Sequence, residues 1–269
     1  MKLKKLLALM MTGIMASVML AGCGGQGNDS KNDSELQTIK DNGVLKIGYT
    51  LYEPMNYEGE DGELTGFDTE FAEAVCEKLG VEPEFVLIDW SNKIIELEAG
   101  NIDCIWNGFT ITDDMKESVD FTQPYVENKQ VLVVNKDNAD VYTSTEALKG
   151  KTVVVEAGSA GNSVASGDEN IADSVMTVQY QTDALLELKS GTADAAIFDK
   201  TLADNMIGEG TDFADLVVTA TLMDEQYGVG FRKGSDLCTE VNKCIDEMRE
   251  DGSLSAIADQ YGLQLATAE

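Results

Sequence analysis

Apolar and polar positions follow two alternating periods along the chain. Short apolar runs over 44–49, 84–88, 103–106 and 130–135 read as strands, and segments with apolar residues three and four apart read as helices. Phe67, Phe71, Ala74, Val75 and Leu79 recur at helical spacing, and Gly80 follows as a stop. A second helix over 94–99 ends at Gly100, and Thr112 or Asp113 is placed to cap a short helix through Lys116. The pattern then restarts. Strands are predicted over 152–156, 174–178, 193–198, 216–219 and 228–231. Helices are predicted after the turn at 158–161 and over 182–188, 202–207, 237–248 and 254–260, with a break at Gly252. Strands alternating with helices predict an α/β fold with mostly parallel sheets. In such sheets ligands bind beyond the carboxyl ends of the strands, and two α/β halves predict a cleft between them.

The N-terminus reads as a targeting segment. Lys2, Lys4 and Lys5 precede an apolar stretch over 6–21 that falls short of a comfortable membrane span. It ends in Leu20-Ala21-Gly22-Cys23, which resembles the bacterial lipobox and implies cleavage after residue 22 with lipid on Cys23. Residues 23–37 are rich in Gly, Asn, Asp and Ser and predict a flexible tether to a membrane surface.

Charge and composition narrow the chemistry. The chain has 269 residues and a formal charge of −30. Loss of 1–22 removes three lysines and no acid, giving −33 for the mature chain. Such a chain repels nucleic acid and favours a soluble monomer. It contains no histidine, which excludes His-based triads and His-ligated zinc. No CxxC occurs, and no metal, nucleotide or other cofactor motif is found. Cys76 and Cys104 fall in apolar patterns and Cys238 and Cys244 share one predicted helix, so buried free thiols are expected.

Three stretches, in order, carry a resemblance. They are Gly66-Phe-Asp-Thr-Glu-Phe-Ala-Glu-Ala-Val; Gly100-Asn-Ile-Asp-Cys-Ile-Trp-Asn-Gly-Phe-Thr-Ile-Thr with Val119-Asp-Phe-Thr-Gln-Pro-Tyr125; and Leu148-Lys-Gly-Lys-Thr-Val-Val-Val-Glu-Ala-Gly-Ser159 with Gly191-Thr-Ala-Asp-Ala-Ala-Ile-Phe-Asp199. Together they resemble the family 3 extracellular solute-binding proteins of polar amino-acid importers over roughly 38–265.

The resemblance implies a type II periplasmic-binding-protein-like fold of two α/β lobes that close on a ligand. One lobe would hold 38–126 and 229–269 and the other 127–228, with hinge crossings near 126–129 and 225–228. It implies an aromatic wall of Tyr49, Tyr52 and Trp90 able to attract a cation, and ligand-carboxylate contacts from Asn107, Gly108 and Thr110. It also implies an anion site at the helix start of Ser159 and Ala160, and Asp199 as holder of an α-ammonium. Two positions depart from the pattern. Met115 stands where many relatives carry a carboxylate-gripping Arg, and the neighbouring Lys116 is expected to point elsewhere. Glu156 stands where relatives are often uncharged or basic, and an acid there suits a cationic ligand side chain.

The resulting expectation is a lipid-anchored, non-enzymatic substrate-binding component on the outer face of the cell membrane. It would pass a polar amino acid, with room for a cationic one, to a permease and its ATPase. A sensor subunit and a dehydratase on the same fold are the alternatives.

Overall fold

The computed structural model describes residues 34–267. The first half of the chain gives α1 (Glu35–Asn42), β1 (Val44–Tyr49), a small hairpin of β2 (Tyr57–Glu58) and β3 (Leu64–Thr65), α2 (Phe67–Leu79), β4 (Glu82–Leu87), α3 (Lys93–Glu98), β5 (Cys104–Ile105), α4 (Asp113–Ser118) and β6 (Val119–Phe121). The second gives β7 (Val126–Asn135), β8 (Val153–Glu156), α5 (Ala160–Gly167), β9 (Val175–Val178), α6 (Gln181–Ser190), β10 (Ala195–Asp199), α7 (Lys200–Met206), β11 (Leu216–Tyr227), β12 (Gly230–Arg232), α8 (Asp236–Glu250) and α9 (Ser253–Gln260). The helix ends follow local chemistry. Thr112 caps α4 by accepting from the Met115 N–H, and Ser159 caps α5 by accepting from the Asn162 N–H.

These elements build two five-stranded sheets, ordered β4-β1-β5-β12-β6 and β11-β7-β10-β8-β9, with helices packed on each. The two-lobe α/β architecture is therefore the one the sequence implies, but the sheets are mixed. β1 runs parallel to β4 and β5, and β8 runs parallel to β9 and β10. β12 is antiparallel to β5 and β6, and β7 is antiparallel to β10 and β11. The expectation of mostly parallel sheets fails because β7, β11 and β12 lie where the chain passes from one sheet to the other and back.

Those crossings are also longer than their hydrophobic pattern. β7 begins at Val126 and β11 reaches Tyr227, and the two pair from Leu216–Asn135 to Tyr227–Val126. Register shifts at Val218/Ala220 and Thr221/Met223 interrupt the apolar–polar alternation that a strand reading relies on. The predicted tether also runs too far. α1 starts at Glu35, with the Ser34 hydroxyl accepting from the Gln37 N–H at 2.9 Å, so residues 35–37 are helical.

One apolar cluster takes in residues of both sheets, and each sheet adds a second cluster of its own. Phe67 and Phe71 on α2 pack against Trp106 and Tyr125, with the Phe71 and Trp106 rings edge to face at 4.9 Å. Leu132, Val134, Val153, Val155 and Ile197 are fully buried in the second sheet. Each such side chain stabilises the fold by about 1.5–3 kcal/mol relative to exposure. Cys76, Cys104, Cys238 and Cys244 are buried and unpaired, as the sequence predicts. Among the described residues no helix is long and apolar enough to cross a membrane.

Candidate ligand-binding site

The carboxyl ends of strands from both sheets converge on one cavity of about 110 Å³. The segment after β1 supplies Thr50 and Tyr52, and the turn after β4 supplies Trp90 and Lys93. The loop after β5 supplies Asn107, Gly108, Phe109 and Thr110, and α4 supplies Met115. From the other sheet come Glu156 at the end of β8, Ser159 and Ala160 at the start of α5, Gln181 at the start of α6, and Asp199 at the end of β10. All the binding residues the sequence points to thus come together except Tyr49. The last residue of β1, Tyr49, packs its ring edge to face on Phe85 and does not line the cavity. Strand alternation turns it to the other face from Gly48 and Thr50. Cys23 lies outside the described residues.

Two of the expected carboxylate contacts are occupied within the protein. Asn107 donates to the Thr50 carbonyl at 2.9 Å and to Asn56 Oδ1 at 2.7 Å, and accepts from the Thr50 hydroxyl at 2.7 Å. It ties the loops after β1 and β5 together. The Gly108 N–H donates to Asp68 Oδ2 at 2.6 Å, so it is engaged below the cavity floor. Glycine is required there, since φ is 57° and a Cβ would lie 2.7 Å from Tyr52 Cε1. Burial pushes the Asp68 carboxyl up to about 7, against the hydrogen bonds from Gly108 and Tyr125. By contrast, the Thr110 hydroxyl, in a residue only 7% exposed, has no hydrogen-bond partner among the described residues.

Asp199 is the best-furnished group in the site. Its Oδ1 accepts from Asn128 at 2.6 Å, Gln130 at 2.9 Å and the Tyr227 hydroxyl at 2.8 Å, and its Oδ2 accepts from Gln181. Asp199 also sits at the N-cap of α7, but its side chain makes no capping hydrogen bond. The Asn128 side chain fills that part instead, accepting from the Thr201 N–H at 3.1 Å. The Asp199 carboxylate is thereby left to the cavity. Glu225, on β11, shares the Asn128 and Gln130 amides with it. Burial first, then repulsion from Asp199, drives Glu225 up to about 9, and burial raises Asp199 too. Burial and mutual repulsion therefore disfavour charge on both carboxyls, while the four donors around Asp199 favour its charged form.

Glu156 also faces the cavity, 4% exposed, with a hydrogen bond from Gln181 to its carboxyl. Burial, and next the Asp199 charge, raise it to about 8, while Lys93 pulls the other way. Lys93 is 5% exposed and is lowered to about 8 by burial. Attraction between these two groups loses to desolvation, and they form no ion pair within 4 Å. The Lys93 ammonium donates to the Trp90 carbonyl at 3.2 Å and to the Gly158 carbonyl at 2.8 Å, and lies 4.7 Å from the Trp90 ring centroid. The cation over the aromatic wall is the chain's own. Among the site residues that sequence reasoning misses are Lys93 and Gln181. Each opens a helix, and nothing in the helical period marks a first-turn polar residue as facing a ligand.

A cavity walled by two lobes, with a fixed carboxylate, free hydroxyl and aromatic faces, is built to enclose a small polar molecule. No cluster that could hold a metal ion occurs among the described residues. Residues 45–264 match the pattern of the bacterial extracellular solute-binding proteins, family 3. The chain belongs to that family. Its relatives include the probable amino-acid-binding protein YxeM of Bacillus subtilis, 32% identical over 100% of this chain and 99% of the relative. The L-cystine-binding protein TcyJ of Escherichia coli is 31% identical over 97% of each chain. Among solved structures, a variant of ArgBP from T. maritima superposes with a TM-score of 0.78 at 34% identity, covering 84% of this chain and 98% of that one. For a family 3 solute-binding protein the cavity between the sheets is the place to seek the ligand.

Proposed function

We propose that this chain is the substrate-binding component of an ABC importer and that it takes up a polar amino acid outside the cell. The observation that carries the reading is Asp199: a buried carboxyl group held by four side-chain donors at the edge of a cavity shared by both lobes. It is an acceptor set for an α-ammonium. Thr110 and the start of α5 at Ser159 and Ala160 receive the carboxylate end. The relatives reported above are named for binding, which supports capture over turnover. The ligand side chain reaches toward Glu156, whose buried carboxyl group favours a cationic partner.

In this reading residues 38–126 with 229–269 and residues 127–228 are the two closing lobes, and the crossings near 126–129 and 225–228 are the hinge. Ligand bridging both lobes biases them toward the closed form by its differential affinity for it. A permease and its ATPase then supply release and energy. Residues 1–22 direct export, and lipid on Cys23 with the following tether keeps the monomeric protein on the outer face of the membrane. Cys23→Ala is expected to move the protein from the membrane fraction to the medium; retention in the membrane argues against the anchor.

A thermal-shift screen of the purified protein against the common amino acids and cystine, followed by calorimetry, tests the ligand. At 100 times Kd a ligand stabilises by about 2.7 kcal/mol, which raises the unfolding midpoint visibly. Absence of a shift with every amino acid would remove the reading.

A further inference from the structure

The cavity carries two buried acids, Glu156 and Asp199, and a single cation, Lys93. The position usually read as the cation of such a site, residue 115, holds a methionine packed with Trp90 and Phe109. An amino acid brings a carboxylate into this enclosure, and that charge needs a counter-charge as well as neutral donors.

Resting on the amino-acid reading above, we infer that Lys93 is the residue that grips the ligand's carboxylate, together with the first turn of α5. Two observations converge on this assignment. The Lys93 ammonium lies 2.8 Å from the Gly158 carbonyl, one residue before the Ser159 cap of α5. An ammonium has three protons, and the Trp90 and Gly158 carbonyls use two, so one N–H remains for the cavity that Lys93 lines. Independently, the Ala160 N–H at the start of α5 has no hydrogen-bond partner among the described residues, and Ala160 lines the same cavity. The Ser159 hydroxyl accepts from Asn162 and keeps its own proton free to donate. Lys93 and the α5 terminus thus present a charged donor beside neutral ones, the set a carboxylate requires. Lys93 comes from one sheet and Gly158 from the other, so the grip is assembled only when the lobes meet.

Glu156 and Asp199 face the same space, which keeps Lys93 from serving a bare anion. The fitting ligand class is a carboxylate joined to one or more cationic groups, as in an α-amino acid with a basic or second zwitterionic end.

The test compares L-arginine, L-lysine, L-histidine, L-glutamine and L-cystine with their carboxyl-amidated forms, by calorimetry on the wild-type protein and on Lys93→Met. Loss of the cation should weaken the acids about 10- to 100-fold while leaving the amides within about threefold. Lys93→Gln, which still donates to Gly158, should behave alike and serves if the methionine variant does not fold. Equal acid affinity in wild type and variant would overturn the assignment and leave the amino-acid reading standing. An equal loss for acids and amides would make Lys93 a packing residue and overturn it too. A wild type that binds none of the acids removes the amino-acid reading and this assignment with it.

Discussion

The Tyr227 hydroxyl stands 2.8 Å from Asp199 Oδ1 and donates its one proton to it. The Tyr52 hydroxyl, 2.7 Å away from that of Tyr227, can then only donate toward Tyr227 or turn to Thr201. A tyrosine from the first lobe is in this way wired to the carboxylate of the second. Tyr227→Phe removes one of four donors to Asp199 and the anchor of Tyr52. It is expected to weaken amino-acid binding roughly 10- to 100-fold, the effect of about 1.5–3 kcal/mol for a hydrogen bond to a charged group. Calorimetry with the best ligand of the screen checks it; unchanged affinity would mean that the Asn128, Gln130 and Gln181 amides suffice.

Asp199→Asn keeps the shape of the side chain and deletes its charge. Truncating one partner of a buried charge pair typically costs about 2–5 kcal/mol, so binding should fall below calorimetric detection. The unliganded protein should unfold at the same temperature or higher, because burial and the neighbouring Glu225 both disfavour a charge at this position. A variant that binds normally would take Asp199 out of the site.

Glu156→Gln should discriminate among ligands. Affinity for lysine or arginine is expected to drop at least tenfold while a neutral amino acid binds as before, since only the cationic side chain needs the carboxylate. A uniform loss across ligands would assign Glu156 to the shape of the pocket instead.

The unliganded protein should lose stability as pH rises from about 5 to about 8. Asp68, Glu156 and Glu225 have folded-state values raised to about 7, 8 and 9. A raised carboxyl contributes stability that is full below its unfolded value and is lost as pH climbs through the folded one. Nothing masks the trend, because the chain has no histidine to titrate in that window. Asp120, Asp168 and Asp236, whose values are lowered, act below it, and lowered Lys93 acts above about 8. Denaturant midpoints across the range read the slope directly; a flat profile would place these carboxyls in water.

The helices were the most legible part of this chain. α2 is bounded by Gly66 and Gly80 and carries an apolar stripe, and its predicted ends coincide with the observed ones. The long crossings were not legible, because bulged strands such as β11 break the period-two pattern at Val218 and Thr221. In the site, Asp199, Glu156, Trp90 and Thr110 follow strand ends, where the general rule for open α/β sheets places ligands. Lys93 follows no such rule: its place depends on a loop of the other lobe, 65 residues away in sequence. Tyr49 fails for the opposite reason, being one residue out of phase with the face that matters.

The four buried cysteines have a practical consequence. Burial pushes Cys76 up to about 12 and Cys238 to about 11 and raises Cys104 and Cys244, so hardly any reactive sulfur is on offer at neutral pH. Among the described residues the native fold leaves an alkylating reagent no exposed thiol. An unfolded copy exposes every one of them. With Cys23 replaced or carrying its lipid, the pace at which a maleimide modifies the chain is therefore a clock for spontaneous unfolding, built in without a label, and a tightly held ligand should slow it.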